Sequence, residues 1–437
     1  MLPISHAVDR TNFSPAPAAA DSQPGNEVRT LETSSAGIPA SMEETRRVLN
    51  LVQLGFWAPS MAFLRRCQQA GIKTHLMPLS DPNIAGEATP RHMPSSALSS
   101  IGKSIPWGIE KSPQALEQVL QFIRSVQAEA ISSDDEATLL WLARHRAELE
   151  PECRVMASPA IAIERLMQKS EQSAMARAAG FSVLPTWLVA PGEDGSLLPD
   201  AGFPVCLRPT RMNSVDPPFK AERIADRGEL NTFLDKLAWT SPLIAQPFCL
   251  GPNLVLHGVR RTDGTMLAMS CFRTICKHRG FALTIEPCEL PEVVRQAAER
   301  FAALADVQGA FHFDLLQSAD SGEVFFLEVN FRMGGTTAKV VRLGYDEPML
   351  ALAAFGLAAP NKPPELPRAH RVTGTRMLTG RLLDSLLHPA GALDYPMSSR
   401  WGRFWSSAAQ LVTVPDALLS RKDIRGSLWY LSRGGRM

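Results

Sequence analysis

Apolar runs and helical patterns alternate along residues 46–157, and this order predicts a small parallel α/β domain. The predicted strands are VLNLVQL, IKTHLMPL and residues 129–132, and the predicted helices are MAFLRRCQQA, LEQVLQFIRSVQ and DEATLLWLARHRAEL. We expect Ser60 to cap the first helix and Gly71 to end it. Ser112 followed by Pro113 is expected to start the second helix.

Residues 158–359 have a different order of elements, because strands follow one another with few helices between them. A helical segment is predicted over residues 159–180, and it ends at Gly180. The strand-like runs that follow are residues 181–190, 203–209, 243–249, 253–260 and 265–276. This order predicts an α+β domain with mostly antiparallel sheets.

The most informative stretch is FHFDLLQSADSGEVFFLEVNFRMGG, residues 311–335, in which two apolar runs flank a turn of hairpin length. Every second side chain of a strand lies on the same face, so Glu328, Asn330 and Arg332 project together. A solvated antiparallel sheet gives the same alternation. Phe326, however, has the parity of Glu328, so this face begins apolar and ends polar, which favours the floor of a cleft.

The polar end of this face is suited to magnesium and phosphate. On the partner strand Asp314 projects with His312, and the oxygens of Asp314, Glu328 and Asn330 are hard ligands of the kind that Mg²⁺ takes together with substrate phosphates. The guanidinium group of Arg332 adds a bidentate hydrogen-bond donor for phosphate or for a developing oxyanion. His312 is a candidate base or supporting contact, with a packed strand histidine as the favoured interpretation.

Composition and charge exclude several other classes. The 437 residues suffice for two or three domains. The net charge of +1 is close to neutral and so does not indicate any class of binding partner. Seven cysteines form no C-x-x-C pair, so neither a disulfide framework nor a zinc site is indicated, and a cytoplasmic location is expected. Residues 1–45, rich in Pro, Ala and Ser, are predicted to be a disordered tail. No apolar run reaches the roughly 20 residues needed to cross a membrane.

Two glycine-containing segments are weak candidates for a phosphate loop. A tight turn explains Gly55 better than a nucleotide loop, because a single glycine is far from the usual fingerprint. ALSSIGKS, residues 97–104, resembles the loop pattern, but the prolines around it leave neither the preceding strand nor the following helix that such a loop requires.

The acidic strand and the Glu-x-Asn-x-Arg strand that follows it resemble the metal-binding end of the ATP-grasp superfamily, carboxylate-amine ligase type. QKSEQSAMARAAGFSVLP resembles the segment that carries a phosphate-binding lysine, FPVCLRPT a strand that usually ends in Lys-Pro, and IAQPFCLGPN the hinge whose backbone binds adenine. The resemblance covers residues 48–356. It implies a pre-ATP-grasp α/β domain followed by an ATP-grasp domain.

The resemblance also implies which residues bind ATP. These are Lys169, Arg208, Lys220, Gln246, Pro247, Phe248, Cys249 and Asn253. Arg208 stands where lysine is usual, so Lys220 or Arg211 is an alternative phosphate contact. Asn253 stands where an acidic residue often meets the ribose.

A ligase of this type uses ATP and Mg²⁺ to activate a carboxylate as an acyl phosphate and passes it to an amine. Asp314, Glu328 and Asn330 would bind the metal, while Arg332 and Arg273 would face the acyl phosphate, with an ordinary surface-strand residue as the alternative for Arg273. The expected partners are a small carboxylate and an amine, amino acids among them, and a homodimer is also considered. A non-catalytic nucleotide-binding or scaffolding protein is the competing interpretation, and a carboxylase of the same fold is a third.

Residues 368–437 form a basic C-terminal segment with eleven Arg or Lys and four Asp, a net charge of +7. Trp401, Trp405 and Trp429 accompany this charge, a composition found at contact surfaces. The two interpretations are a solvated face on a small packed subdomain and a docking surface for an acidic protein. No recognised binding motif points to nucleic acid.

Overall fold

The computed structural model describes residues 49–80, 95–106, 108–196, 198–210, 214–357 and 369–432. The predicted tail, residues 1–45, and Arg211 lie outside the described residues. No helix within the described ranges is long and apolar enough to cross a membrane.

The strands belong to two larger sheets, a four-stranded sheet and two short pairs. In chain order they are β1 (Asn50–Leu54), β2 (Lys73–Met77), β3 (Leu79–Ser80), β4 (Ser100–Ile101), β5 (Ile105–Pro106), β6 (Ala130–Ser133), β7 (Arg154–Val155), β8 (Ser182–Val183), β9 (Trp187–Val189), β10 (Val205–Pro209), β11 (Val215–Asp216), β12 (Glu222–Ile224), β13 (Ala238–Trp239), β14 (Leu243–Pro247), β15 (Asn253–Arg260), β16 (Met266–His278), β17 (Phe281–Cys288), β18 (Gly309–Gln317), β19 (Val324–Asn330) and β20 (Val372–Thr373).

The helices cover the sheets and link them. They are α1 (Ala58–Gln69), α2 (Ala115–Val126), α3 (Glu136–Arg144), α4 (Arg146–Leu149), α5 (Ala160–Leu166), α6 (Lys169–Ala179), α7 (Arg227–Leu234), α8 (Glu292–Leu304), α9 (Thr337–Arg342), α10 (Glu347–Ala354), α11 (Thr375–Leu387), α12 (Arg400–Thr413) and α13 (Ile424–Ser432).

The sheet topology confirms the predicted fold class. The N-terminal sheet has the order β4-β2-β1-β6-β7, and all of its pairs are parallel. The seven-stranded sheet, β20-β17-β16-β15-β18-β19-β8, is antiparallel except for the pair of β19 with β8. The four-stranded sheet, β12-β10-β14-β9, is antiparallel throughout.

The apolar cores follow these sheets. One cluster contains Leu54 and Leu142 from the parallel sheet and its helices together with Phe181 and Phe313, so it continues into the seven-stranded sheet. The four-stranded sheet and α7 have a separate core, which includes Leu207 and Leu230. The domain boundaries at residues 46–157, 158–359 and 368–437 stay predictions.

Three helix boundaries differ from the sequence-based prediction. Helix α1 begins at Ala58, and Ser60 is its third residue instead of its cap, because the hydroxyl of Ser60 accepts a hydrogen bond from the backbone N–H of Trp57. Helix α2 begins at Ala115, two residues beyond the predicted Ser-Pro start. Residues 159–180 form two helices, since Gln168 adopts an extended conformation between α5 and α6.

Candidate active site

The predicted metal ligands lie together on β18 and β19. Asp314 is directly opposite Glu328, and the amide of Asn330 donates to Asp314 at 3.5 Å between Nδ2 and Oδ2. Both strands form because apolar side chains on their inner face pack in the main core, and residues 318–323 connect them.

A β-bulge at Leu327 positions Glu328, and it corrects the predicted arrangement of this strand. Leu315 pairs with Phe326 and Asp314 pairs with Glu328, which leaves Leu327 as an extra residue. Phe326 therefore packs in the core, while Glu328 lies on the other side with the site. Strict alternation would have put both on one face.

The glutamine of α6 holds the strand just beyond the bulge. Gln172 donates from Nε2 to the carbonyl of Val329 at 3.1 Å and accepts from its N–H at 3.0 Å. Its Nε2 also donates to the carbonyl of Leu166 at 2.6 Å, which lies at the end of α5. The break between α5 and α6 is thus tied to the bulged strand.

Cations surround the acidic pair. The Nζ atom of Lys169, the first residue of α6, lies 3.1 Å from Oε2 of Glu328. Burial would raise the pKa of Glu328, but the charges of Lys169 and Arg208 outweigh it and lower this pKa to about 2. Burial and the neighbouring Glu328 raise the pKa of Asp314 to about 6.

Lys220 approaches the same carboxylates from the segment between β11 and β12. Its Nζ lies 4.1 Å from the centre of the Phe281 ring and donates to the carbonyl of Gly280 at 3.3 Å. The side chain of Lys220 is exposed, but partial desolvation by nearby protein atoms lowers its pKa, while the charges of Asp314 and Glu328 oppose that shift. The lysine is therefore held near the site by an aromatic face and attracted by its acids.

Arg208 and Gln246 lie on adjacent strands of the four-stranded sheet. Nη2 of Arg208 donates to Oε1 of Gln246 at 2.7 Å, and Nε2 of Gln246 donates to the hydroxyl of Thr186 at 2.9 Å. The buried Nε of Arg208 has no hydrogen-bond partner among the described residues. The guanidinium thus keeps a donor that an anionic ligand can use.

Arg332 extends the site to the parallel sheet. Its Nε lies 3.3 Å from Oε1 of Glu136, the first residue of α3. Burial raises the pKa of Glu136, although the charge of Arg332 opposes the shift. Asp135 caps α3 by accepting from the N–H of Thr138 at 2.8 Å, and this turn presents Glu136 to Arg332.

The site therefore combines acids from β18 and β19, cations from α6, β10 and the segment before β12, and Arg332, which pairs with Glu136 at the start of α3. Solved structures of low sequence identity share the arrangement of sheets. L-amino acid ligase from Bacillus licheniformis is 17% identical, with a TM-score of 0.54 and coverage of 72% of this chain and 76% of that chain. N5-carboxyaminoimidazole ribonucleotide synthetase, solved with ADP, is 12% identical, with a TM-score of 0.56 and coverage of 84% of this chain and 98% of that chain. Biotin carboxylase from Campylobacter jejuni is 14% identical with a TM-score of 0.53 and coverage of 73% of each chain.

The chain has the ATP-grasp fold. No family model and no curated protein matches the sequence.

The remaining residues predicted for an ATP-grasp site have varied surroundings. Pro247 ends β14, and the N–H of Phe248 donates to the carbonyl of Pro204 at 2.7 Å. Cys249 follows, half-buried with a free thiol. Asn253 begins β15, and its Oδ1 accepts from Nζ of Lys277 at 3.0 Å.

Arg273 is engaged elsewhere in the ATP-grasp sheet. It lies opposite Glu286 on β17, and its Nη2 lies 2.6 Å from Oε1 of that residue. Glu286 also pairs with Arg371 of the C-terminal segment. The geometry gives Arg273 a cross-strand ion pair, and its role at the acyl phosphate stays a prediction.

Sequence reasoning missed three charged residues near this candidate site. Lys277 is buried and donates to Asn253, and burial lowers its pKa. Asp134 and Glu136 follow β6 at the carboxyl edge of the parallel sheet, and burial raises the pKa of Asp134 to about 6 although Ser60 opposes this. The run Asp134-Asp135-Glu136 after a strand was a usable signal, because open α/β sheets bind ligands at that edge.

The two histidines near the site are structural. His257 is fully buried, with Nδ1 at 2.7 Å from Oε1 of Glu347 and Nε2 at 2.9 Å from the hydroxyl of Thr336. His312 stacks on it with ring centres 5.3 Å apart, and burial lowers the pKa of His312 well below its usual value. This pair packs beneath the loop that follows Arg332 and keeps that loop in place.

Proposed function

We propose that the protein is an ATP-dependent ligase that joins a carboxylate to an amine and releases ADP and phosphate. The observation that supports it best is the pair Asp314 and Glu328, with Lys169, Lys220 and Arg208 around it. Acids and cations in one cleft match a nucleotide whose phosphates carry a metal ion. The similar fold of an L-amino acid ligase agrees with this choice.

The donor set fits Mg²⁺. Asp314, Glu328 and Asn330 offer hard oxygen atoms, and desolvation together with the neighbouring Glu328 carboxylate raises the pKa of Asp314, an effect that a bound cation would offset. This set has two carboxylates and one amide, so substrate phosphates would have to complete the coordination of the metal. When bound, Mg²⁺ would neutralise the charge on the phosphate oxygens.

The proposed reaction has two steps. An oxygen of the substrate carboxylate forms a bond to the γ-phosphorus while the bond from that phosphorus to the β,γ-bridging oxygen breaks, and ADP leaves. The ammonium group first loses a proton to solvent, and the neutral amine then attacks the acyl carbon. The carbon–oxygen bond to phosphate breaks, phosphate leaves, and the nitrogen releases a second proton to solvent to give the amide. Lys169, Lys220 and Arg208 hold the phosphates, and Arg332 offers its fork to the oxyanion that forms at the acyl carbon.

The test is ADP and phosphate release from Mg-ATP with all pairs of the twenty L-amino acids and with simple carboxylates plus amines. We expect release to require both a carboxylate and an amine, and Glu328→Gln to reduce turnover by ~100-fold or more, since charge stabilisation of this kind has that size. Asp320→Asn, an exposed acid on the same hairpin, is the matched control and should not change turnover.

Other outcomes separate the competing functions. ADP release that needs bicarbonate and no added carboxylate would identify a carboxylase. Failure of the wild-type protein to bind Mg-ATP in a titration would reject the ligase proposal, and binding without release under any condition would favour a scaffolding role. The cytoplasmic location, the homodimer and the acidic protein partner stay predictions, and the comparisons give no support to the acidic partner.

A further inference from the structure

We propose that the amine substrate binds as a cation at the carboxyl edge of the parallel sheet, held by Asp134 and Glu136 with Gln53 as an additional hydrogen-bonding group. This inference rests on the ligase function proposed above and names the class and location of its second substrate.

Unpaired polar atoms in the interior are the first observation. Gln53 is 1% exposed and Asp134 is 6% exposed. Neither Nε2 nor Oε1 of Gln53 has a hydrogen-bond partner in the described part of the chain, and Oδ1 of Asp134 has none either. Buried polar groups are nearly always paired, and leaving one unpaired is costly, so these atoms indicate a binding role.

The topology brings these groups to one edge. Gln53 is opposite Ser132 in the parallel pair of β1 and β6, and Asp134 follows Ser132 by two residues. Leu51, two residues before Gln53, packs in the same cluster as Phe63 of α1, so Gln53 faces α1. The hydroxyl of Ser60, also on α1, donates to Oδ2 of Asp134 at 2.6 Å, which leaves Oδ1 as the unpaired atom.

This edge adjoins the reacting centre through Arg332. Glu136 pairs with Arg332 at 3.3 Å, and the charge of Arg332 also acts on Asp134. The charges of Glu328 and Lys169 also act on Glu136, so Glu136 lies within electrostatic range of the proposed metal ligand Glu328 and its lysine. A molecule bound at Asp134 and Glu136 is therefore next to the site of acyl transfer.

The charge of the edge selects the ligand. Two carboxyl groups attract an ammonium group and repel bicarbonate or a second carboxylate, so the edge suits an amine and not the substrate of a carboxylase. Gln53 offers a donor and an acceptor and would pair with a further polar group of that amine. An ammonium at Glu136 would also take over its ion pair and free Arg332 for the acyl phosphate.

The test is direct binding to the full chain in the presence of Mg²⁺ and the β,γ-imido analogue of ATP. The probes are ethylamine, putrescine and the twenty L-amino acids, with acetate and bicarbonate as anionic counterparts, measured by calorimetry and saturation-transfer NMR. We expect an amine to bind, and Asp134→Asn and Glu136→Gln to weaken it by ~10-fold or more, as for the loss of one charged hydrogen bond. Glu148→Gln, an exposed acid in the same predicted domain, is the matched control.

Gln53→Leu supplies a readout that a purely structural glutamine would not give. Replacing an unpaired buried amide by an apolar side chain of similar size should maintain or raise the melting temperature. We expect the same variant to bind the amine more weakly, so stability and affinity would change in opposite directions. A fall in melting temperature with unchanged amine affinity would assign Gln53 to structure and contradict its role.

The outcomes for the site are distinct from those for the ligase function. Equal amine affinity in wild type, Asp134→Asn and Glu136→Gln overturns the site while ATP binding stands. Binding of only the anionic probes, or of none, also overturns it. Failure of the wild type to bind the ATP analogue removes the ligase function, and the proposal falls with it.

Discussion

Asp314 and Glu328 are adjacent carboxyl groups whose pKa values shift in opposite directions. Lys169 lies against Glu328 and keeps it ionised, whereas Asp314 is half-buried beside that negative charge. In the absence of a metal ion, Asp314 is therefore the group that holds a proton in weak acid. Binding of Mg²⁺ must displace that proton, so metal affinity should fall as the pH drops below about 6.

The pKa of Asp314 gives a prediction for stability against pH. A carboxyl group whose pKa is raised by folding binds its proton more tightly in the native protein, so its contribution to stability is present below about pH 4 and is lost as the pH rises through about 6. The Asp314→Asn variant should therefore have the same melting temperature as the wild type at pH 4. At pH 7 its melting temperature should be at least ~2 °C higher than that of the wild type. Scanning calorimetry at both pH values checks this.

The exposed acid of the same hairpin again provides the control. Asp320→Asn should show a melting temperature difference from the wild type that does not depend on pH. Added Mg²⁺ should stabilise the wild type at pH 7 more than Asp314→Asn. If the melting temperature of Asp314→Asn differs from that of the wild type by the same amount at both pH values, the ionised carboxylate of Asp314 is not destabilised by its surroundings.

At the scale of single elements, the bulge of β19 depends on the side chain of Gln172. Gln172→Leu removes its hydrogen bonds to the Val329 backbone and leaves those buried groups unpaired. We expect a loss of about 1–3 kcal/mol in the free energy of unfolding. Affinity for Mg-ATP should fall as well, since Glu328 is the residue before Val329.

Denaturant unfolding and nucleotide titration measure these two effects. Gln296→Leu, on the exposed face of α8, is the matched control and should change neither quantity appreciably. Normal Mg-ATP affinity in a destabilised Gln172→Leu protein would show that the position of Glu328 does not depend on this contact.

The hairpin and its acids were accessible from the sequence because they rest on local signals, namely a period of two and a turn between apolar runs. The bulge could not be predicted from the sequence. The extra residue, Leu327, is an ordinary apolar strand residue, so the bulge is visible only in the pairing of β19 with β18. Arg208 and Lys169 came from the order of motifs. The pair of Glu136 with Arg332 joins residues that only the tertiary fold brings together, so no local pattern could reveal it.

At the scale of the whole molecule, the C-terminal segment contacts both the seven-stranded sheet and the region of α1. Strand β20 pairs with β17, and so the segment supplies an edge of the seven-stranded sheet. Two of its arginines, Arg381 and Arg403, are fully buried within the hairpin of α11 and α12. The basic charge of residues 368–437 is therefore partly structural.

Asp423 is the residue on which this attachment depends most. It is buried, lies 2.8 Å from Nε of Arg65 on α1, and accepts hydrogen bonds from Ser95 and from the backbone of Ser96 and Gly426. These contacts hold its pKa well below the usual range despite burial. Asp423→Ala should lower the free energy of unfolding by about 3–5 kcal/mol, because it removes the ion pair with Arg65 and the acceptor of several buried hydrogen bonds.

Thermal unfolding provides the measurement. Asp235→Ala, an exposed acid at the end of α7, should leave the melting temperature nearly unchanged. A similarly small effect in Asp423→Ala would show that the C-terminal segment is held mainly by β20 and the apolar contacts of α13.

The close approach of Gly334 to His312 implies a rule for the evolution of this chain. A β-carbon at residue 334 would lie 2.2 Å from Cε1 of the His312 ring, so any other residue there requires the imidazole to move. The ring is buried, stacked on His257 and within hydrogen-bond distance of the Arg332 carbonyl, so moving it would disrupt these contacts. We therefore expect the two positions to covary among homologues: glycine should be invariant at 334 wherever histidine occupies 312, and alanine or serine should appear only with a smaller side chain at 312.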